Sequence, residues 1–148
     1  GLGTMGFGLP AAIGAKMGAP ERTVCFFTGD GGIQMTIQEL GTVMQTGTDI
    51  KIIILNNNFL GMVRQWQELF FEKRYSETHM LNPDFKAIAA AYGIKGRDVT
   101  DRSQLDEAIA EMIAQRSILI KCRCRRRRHG IPHDSCRRMR YRYFIKQY

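Results

Sequence analysis

Short apolar runs alternate with longer amphipathic segments along residues 1–120. The apolar runs favour β structure, which predicts buried strands at 23–28, 51–55 and 118–120, and residues 94–99 can form a further strand. Before the first strand, small residues predict a helix at 11–17. After that strand, apolar residues recur at steps of three and four, which predicts helices at 33–47, 61–71, 83–93 and 103–113. Strands that alternate with helices predict an α/β fold, in which a parallel sheet carries helices on both faces.

Two of these helices begin at capping signals. Asn82 followed by Pro83 is typical of an N-cap and a first-turn proline. Ser103 with Asp106 resembles a capping box for the last helix. Both residue pairs are therefore interpreted as structural.

Polar turns follow two of the predicted strands. Gly29-Asp30-Gly31-Gly32 comes after the first strand, and Asn56-Asn57-Asn58 comes after the second. In a parallel sheet, ligands bind beyond the carboxyl ends of the strands, so both turns are expected at one binding edge. Free backbone N–H groups at a helix start suit a phosphate, and carboxylate and amide oxygens suit Mg²⁺. Gly-Asp-Gly alone is a common turn, so this hypothesis depends on the pairing with the asparagines.

The paired turns resemble the thiamine diphosphate and Mg²⁺ motif of thiamine diphosphate-dependent enzymes. The surrounding residues are similar to one branch of that family, the catalytic (large) subunit of acetolactate synthase, also called acetohydroxyacid synthase. The resemblance extends over residues 1 to about 120 and is carried by 1–14, 61–67 and 75–85. It implies the thiamine diphosphate-binding fold, truncated at both ends, with residues 1–120 as a partial C-terminal cofactor domain.

The resemblance also implies roles for individual residues. Mg²⁺ would be held by the Asp30 carboxylate, the Asn57 side chain and the Phe59 carbonyl. The diphosphate end of the cofactor would contact Gly29, Gly31, Gly32, Leu60 and Gly61.

Four further residues would meet the cofactor rings or the substrate. The Gly3 carbonyl would receive the aminopyrimidine amino group, and Met5 would wedge between the two rings. Met62 would contact the cofactor and line the substrate pocket with Trp66, which would favour 2-ketobutyrate. Without the resemblance, the glycine-rich start could be a flexible end, Met5 a core plug and Trp66 a core residue.

The implied reaction is decarboxylation of pyruvate and condensation with pyruvate or 2-ketobutyrate, in branched-chain amino-acid biosynthesis. The glutamate that activates the cofactor is expected on a separate domain from a neighbouring subunit, and FAD on a middle domain. The chain is thus expected to be a fragment without catalytic residues, inactive alone. Its parent is expected to be a homodimer or tetramer, with a possible regulatory small subunit, located in the cytoplasm or, in a plant, in the plastid. Another thiamine diphosphate carboligase or oxidase, such as glyoxylate carboligase, is the alternative, against which Met62 and Trp66 argue.

Charge divides the chain into two compositions. The 148 residues carry a net charge of +8, but residues 1–115 contain 10 Lys and Arg against 13 Asp and Glu. Residues 116–148 contain 12 basic residues and one acid, Asp134. An arginine-rich tail with interleaved aromatics permits a nucleic-acid-binding module, and Cys122, Cys124, His129, His133 and Cys136 permit a zinc site with unusual spacing. Neither is expected: a shifted reading frame from about Lys121 explains the break, which predicts that the tail 121–148 is disordered.

A membrane span is not expected. The longest run without charged or strongly polar side chains, residues 5–15, has only eleven residues and is interrupted by glycine and proline. No secretory or transit signal is recognisable at the start of the sequence.

Overall fold

Four parallel strands form the sheet of this protein, in the order β1-β2-β4-β3. The computed structural model describes residues 2–124. Its strands are β1 Val24–Gly29, β2 Ile50–Asn56, β3 Lys95–Val99 and β4 Ile118–Arg123. Its helices are α1 Gly8–Gly18, α2 Asp30–Gln34, α3 Leu40–Thr46, α4 Gly61–Phe70, α5 Phe85–Ala91 and α6 Leu105–Ala114. The predicted α/β fold is therefore confirmed.

Two large clusters of buried side chains lie on opposite faces of the sheet. On one face, Leu9 of α1, Ile33 of α2 and Phe85 of α5 pack over the central strand residues Ile52 and Ile54. On the other face, Ala108 of α6 packs against β3 and β4 through the residues Val99, Ile118, Ile120 and Cys122. The predicted covering of both faces is thus present, with four helices on the first face and α6 on the second.

Helix α1 lies unusually close to the sheet. A Cβ atom placed on Gly8 would come within 2.3 Å of the Phe26 ring, which is a side chain of β1. Glycine is therefore needed at this helix start because any side chain would displace α1 or the ring.

The predicted bounds differ from those of the structure by a few residues, and two of the differences change the description of the fold. The helix predicted at 33–47 begins at Asp30 and is divided into α2, a 3₁₀ turn at Ile37–Glu39, and α3. The last strand was predicted at 118–120 but continues to Arg123, because Lys121 and Cys122 stay in register with Ile54 and Leu55 of β2. The backbone thus remains in the sheet beyond Lys121, where the reading frame was predicted to shift.

Both predicted capping interactions were wrong. Helix α5 is capped by Asp84, whose Oδ1 accepts hydrogen bonds from the backbone N–H groups of Lys86 and Ala87 at 2.9 and 3.1 Å. The capping box before α6 is formed by Asp101 and Gln104. Asn82 is therefore not used as a helix cap.

The predictions for the tail concern mainly residues 125–148. The disorder predicted from residue 121 is wrong for residues 121–123, which belong to β4. The disorder and altered frame proposed for residues 125–148 lie outside the described residues, as do the arginine-rich nucleic-acid arm and the zinc ligands His129, His133 and Cys136. Among the helices between residues 2 and 124, none is long and apolar enough to cross a membrane.

An ion-pair cluster joins β3 to α6. Arg97 pairs with Glu107 at 2.7 Å and with Glu111 at 2.6 Å, and Lys95 pairs with Glu111 at 2.6 Å. Hydrogen bonding to Arg97 lowers the pKa of Glu107, and hydrogen bonds from Lys95 and then Arg97 lower the pKa of Glu111. Since the folded pKa values are depressed, the stabilisation is present above the unfolded pKa of about 4.3 and is lost as the pH falls through the folded values.

Replacing Arg97 by methionine is accordingly expected to lower the melting temperature by a few degrees at pH 7 and to have little effect at pH 2.5. Thermal unfolding followed by circular dichroism at both pH values measures this difference. Arg22→Met is the control, because the pair between Arg22 and Glu21 is exposed and spans 4.0 Å. An equal loss at both pH values for Arg97→Met would exclude the electrostatic explanation.

Candidate functional site

The predicted polar turns meet at the carboxyl edge of β1 and β2. Gly29 ends β1 and pairs with Leu55 of β2, so the residues that follow the two strands lie side by side. Asp30 begins α2, and its side chain is only 1% exposed. The site is therefore built around one buried carboxyl group.

Both hydrogen bonds to the Asp30 carboxyl group end on the same oxygen. Oδ2 accepts a hydrogen bond from the Asn58 backbone N–H at 3.0 Å and from Asn82 Nδ2 at 2.6 Å. No donor among residues 2–124 is assigned to Oδ1. The carboxyl group is thus oriented by the protein through one oxygen, which leaves the other for a ligand.

The asparagine turn that follows β2 is locally fixed. Asn57 Oδ1 accepts a hydrogen bond from the Phe59 backbone N–H at 2.9 Å, and Asn58 adopts a left-handed conformation with φ of 62°. The turn also pairs with residues 78–80: Leu60 N donates to Thr78 O, and Met80 N donates to Asn58 O, each at 2.9 Å. An amide oxygen has two lone pairs, so Asn57 keeps one acceptor position for a cation.

Two glycines of the turn that follows β1, Gly31 and Gly32, are closely surrounded by neighbouring side chains. A Cβ atom on Gly31 would lie 2.8 Å from Leu60 Cδ2, 3.2 Å from Met80 Sδ and 3.7 Å from Met5 Cε. On Gly32 it would lie 2.9 Å from the Thr28 hydroxyl. Gly31 therefore allows the residue 60 turn, Met80 and Met5 to approach the start of α2.

The predicted site residues do not all lie equally close to Asp30. Gly29, Gly31 and Gly32 adjoin it in sequence, the Asn57–Leu60 turn approaches it, and Gly61 begins α4 directly afterwards. Gly3, with φ of 66°, lies on the described segment before α1 that also brings Met5 to Gly31. Met5 is 48% exposed, which argues against the alternative that it plugs the core.

Helix α4 presents the two predicted pocket residues outward. Met62 and Trp66 are 60% and 57% exposed, and Leu69 and Phe70 continue the same apolar face. Trp66 is therefore not a core residue of the structure formed by residues 2–124, so that alternative is wrong. Helix α4 buries none of its residues against the rest of residues 2–124.

Sequence reasoning missed several residues of the site. Asn82 binds Asp30, and Gln34 donates to Asn82 Oδ1 at 2.9 Å. The Arg64 guanidinium lies over the rings of Phe59 and Tyr75 at 4.4 and 4.2 Å, which holds the turn after Asn57 against α4. In the sequence, the polar residues at 82–84 are the only signal that points to Asn82. The prediction interpreted Asn82 as a helix cap instead.

The donor set fits a hard divalent cation bound together with a phosphate. It combines a carboxylate, an amide oxygen and backbone groups, and Mg²⁺ prefers such oxygen ligands while keeping positions for phosphate oxygens. Among residues 2–124, no three His, Cys, Asp or Glu side chains gather into a metal site. Asp30 and the neighbouring oxygens would leave coordination positions that phosphate oxygens or water can occupy.

Comparison with known proteins agrees with this geometry. The profile of the thiamine pyrophosphate enzyme family, C-terminal TPP binding domain, matches residues 1–122. The chain therefore belongs to the thiamine pyrophosphate enzymes, a name that refers to thiamine diphosphate.

Within that family, the chain is similar to acetolactate synthases. It is 53% identical over 114 residues to the isozyme 2 large subunit of Escherichia coli, covering 76% of this chain and 21% of that protein. It is also 53% identical over 114 residues to the mitochondrial catalytic subunit of Saccharomyces cerevisiae, covering 77% of this chain and 17% of that protein. The chain thus spans about one fifth of these relatives, and the predicted resemblance is confirmed.

A solved structure shows the same fold. The thiamine diphosphate-dependent 4-hydroxybenzoylformate decarboxylase of Rhodococcus jostii RHA1 superposes with a TM-score of 0.73 at 30% sequence identity. The match covers 80% of this chain and 22% of that chain. The arrangement of sheet and helices is therefore shared with a thiamine diphosphate-dependent decarboxylase.

Proposed function

We propose that this chain provides the thiamine diphosphate-binding and Mg²⁺-binding part of an acetolactate synthase catalytic subunit. The observation that carries the proposal is the buried Asp30, which is held through Oδ2 beside the Asn57 turn and the crowded glycine turn. The sequence similarity to acetolactate synthases supports the choice of enzyme within the family.

In this proposal, three oxygens of the chain hold Mg²⁺: Asp30 Oδ1, Asn57 Oδ1 and the Phe59 carbonyl. The backbone around the glycine turn and the start of α4 receives the diphosphate, through Gly29, Gly31, Gly32, Leu60 and Gly61. Partial positive charge at the starts of α2 and α4 favours an anion at this edge. The side chain of Asp30 thus binds the cation that neutralises the diphosphate.

The remaining site residues orient the organic part of the cofactor and the substrate. Gly3 and Met5 meet the rings, since Met5 already lies against Gly31. Bound thiamine diphosphate supplies the electron sink for decarboxylating a 2-keto acid. Met62 and Trp66 provide an apolar wall for the alkyl group of that acid, because both project from the exposed face of α4.

The substrates and partners belong to the whole protein. We propose pyruvate as the donor, pyruvate or 2-ketobutyrate as the acceptor, and an oligomer of catalytic subunits that completes the site with the activating glutamate. FAD, the regulatory small subunit and a cytoplasmic or plastid location remain predictions from the family resemblance. None of the residues 2–124 is assigned to FAD in this proposal.

The experiment uses the whole protein that carries this sequence. Isothermal titration calorimetry is expected to show thiamine diphosphate binding that is lost with EDTA and restored by Mg²⁺. With pyruvate, the loaded protein is expected to form acetolactate, measured as acetoin after acidification. The chain 1–148 alone is expected to form none. Cofactor binding without Mg²⁺, or product from glyoxylate but not from pyruvate, would contradict the proposal.

A further inference from the structure

Asn82 lies at the centre of a polar network that joins its own segment to helix α2 and to the end of β2. Its Nδ2 donates to Asp30 Oδ2 at 2.6 Å and to Asn56 Oδ1 at 2.7 Å. Its Oδ1 accepts a hydrogen bond from Gln34 Nε2 at 2.9 Å. We infer that Asn82 is a positioning residue, which fixes the Asp30 carboxyl group for cation binding, and that Gln34 sets the orientation of its amide.

The donor and acceptor assignments in this network follow from one group that can only accept. Gln34 Nε2 also donates to the Asp30 backbone carbonyl at 3.1 Å, and a carbonyl oxygen has no proton to give. The amide nitrogen of Gln34 must therefore face that carbonyl, and its second proton is directed to Asn82 Oδ1. This places Nδ2 of Asn82 against Asp30 and Asn56, so the amide of Asn82 has one favourable orientation.

The backbone around Asn82 is held on both sides. Before it, Met80 N donates to Asn58 O at 2.9 Å, and after it, Asp84 caps α5. The same Asn58 donates its backbone N–H to Asp30 Oδ2. Asn82 and Asn58 thus grip one carboxylate oxygen from connected segments, and a side chain supported in this way is preorganised for binding.

A purely structural role would have a different effect from a positioning role. If Asn82 only joined the segments, its loss would lower stability and weaken cation and cofactor binding together. If it positions Asp30, its loss weakens cation binding specifically while the fold persists. The inference rests on the proposed function, because it takes Asp30 Oδ1 as a cation ligand.

The test measures Mn²⁺ binding, as a paramagnetic substitute for Mg²⁺, in the whole protein with saturating thiamine diphosphate. Electron paramagnetic resonance quantifies free Mn²⁺, and thermal unfolding without cofactor reports stability. We expect Asn82→Ala to raise the Kd for Mn²⁺ by about tenfold or more, the range for residues that support metal ligands. Its melting temperature should match that of the control Gln104→Ala, which removes a half-buried amide from the capping box before α6.

A second variant tests the role of Gln34. In Gln34→Glu, a carboxylate oxygen faces the Asp30 carbonyl and Asn82 Oδ1, so the hydrogen bond that holds Asn82 Oδ1 is lost and the amide is no longer fixed against Asp30. Added negative charge near a cation site ordinarily strengthens cation binding. Weaker Mn²⁺ binding in this variant would therefore support the inferred orientation, and stronger binding would overturn it.

The outcomes distinguish this inference from the proposed function. If the unmodified protein binds neither Mn²⁺ nor thiamine diphosphate, both fail. If it binds them and Asn82→Ala binds Mn²⁺ equally well, or Gln104→Ala loses binding to the same degree, only the positioning role is overturned.

Discussion

Replacing Asp30 by asparagine is expected to weaken Mg²⁺-dependent thiamine diphosphate binding at least about 100-fold, which exceeds the effect typical of residues that only support a ligand. The substitution keeps the volume of the side chain but removes its negative charge. In the unmodified protein, Asn58 N and Asn82 Nδ2 both donate to Asp30 Oδ2. The substitution also places an amide group against these two donors. Calorimetric titration of the whole protein with cofactor and Mg²⁺ measures the loss.

Asp84→Asn is the matched control for this prediction. It makes the same chemical change two residues beyond Asn82, but asparagine caps helices about as well as aspartate does. Unchanged binding in Asp84→Asn and lost binding in Asp30→Asn would locate the effect at the turn after β1. Equal binding in both variants would exclude Asp30 as a cation ligand.

The second large effect concerns folding. Replacing Phe85 by alanine is expected to lower the free energy of unfolding of this chain by about 3–5 kcal/mol, as for other buried aromatic residues. Phe85 begins α5, is 0% exposed and packs in the cluster that joins four helices to β2. Urea denaturation followed by circular dichroism measures the change.

Phe70→Ala is the control for the folding prediction, because Phe70 is 73% exposed on α4. Its free energy of unfolding is expected to change by no more than about 0.5 kcal/mol. A small effect of Phe85→Ala would mean that the cluster of buried side chains around Phe85 does not determine the stability of the chain. A large effect of Phe70→Ala would show that the face of α4 is covered in solution.

The strands β1, β2 and β4 could be predicted because buried parallel strands are largely continuous apolar runs. Ile50–Asn56 includes four fully or nearly buried isoleucines, and such a run needs no knowledge of its neighbours to be recognised. The helix at 33–47 was harder, since its apolar period continues across the 3₁₀ turn that separates α2 from α3. Local periodicity therefore located the elements better than their ends.

The site divides in the same way. Asp30 and Asn57 could be identified because each stands in a short turn after a strand. Asn82 could not, since its partners Gln34, Asp30 and Asn56 are separated from it by 48, 52 and 26 positions along the chain. Its neighbour Pro83 offered a sufficient local explanation. Contacts made only by tertiary folding leave no periodic signal in one sequence.

The two edge strands of the described sheet differ in their tendency to pair with another chain: β3 is charged and β1 is not. The edge strand β3 carries the charged residues Lys95, Arg97 and Asp98, which oppose pairing with another chain. The edge strand β1 has the sequence Val-Cys-Phe-Phe-Thr-Gly, without charge or proline, and its Phe27 is 45% exposed. Such a segment has the composition of an aggregation-prone β edge. Solubility of the isolated 148-residue chain will therefore depend on shielding β1.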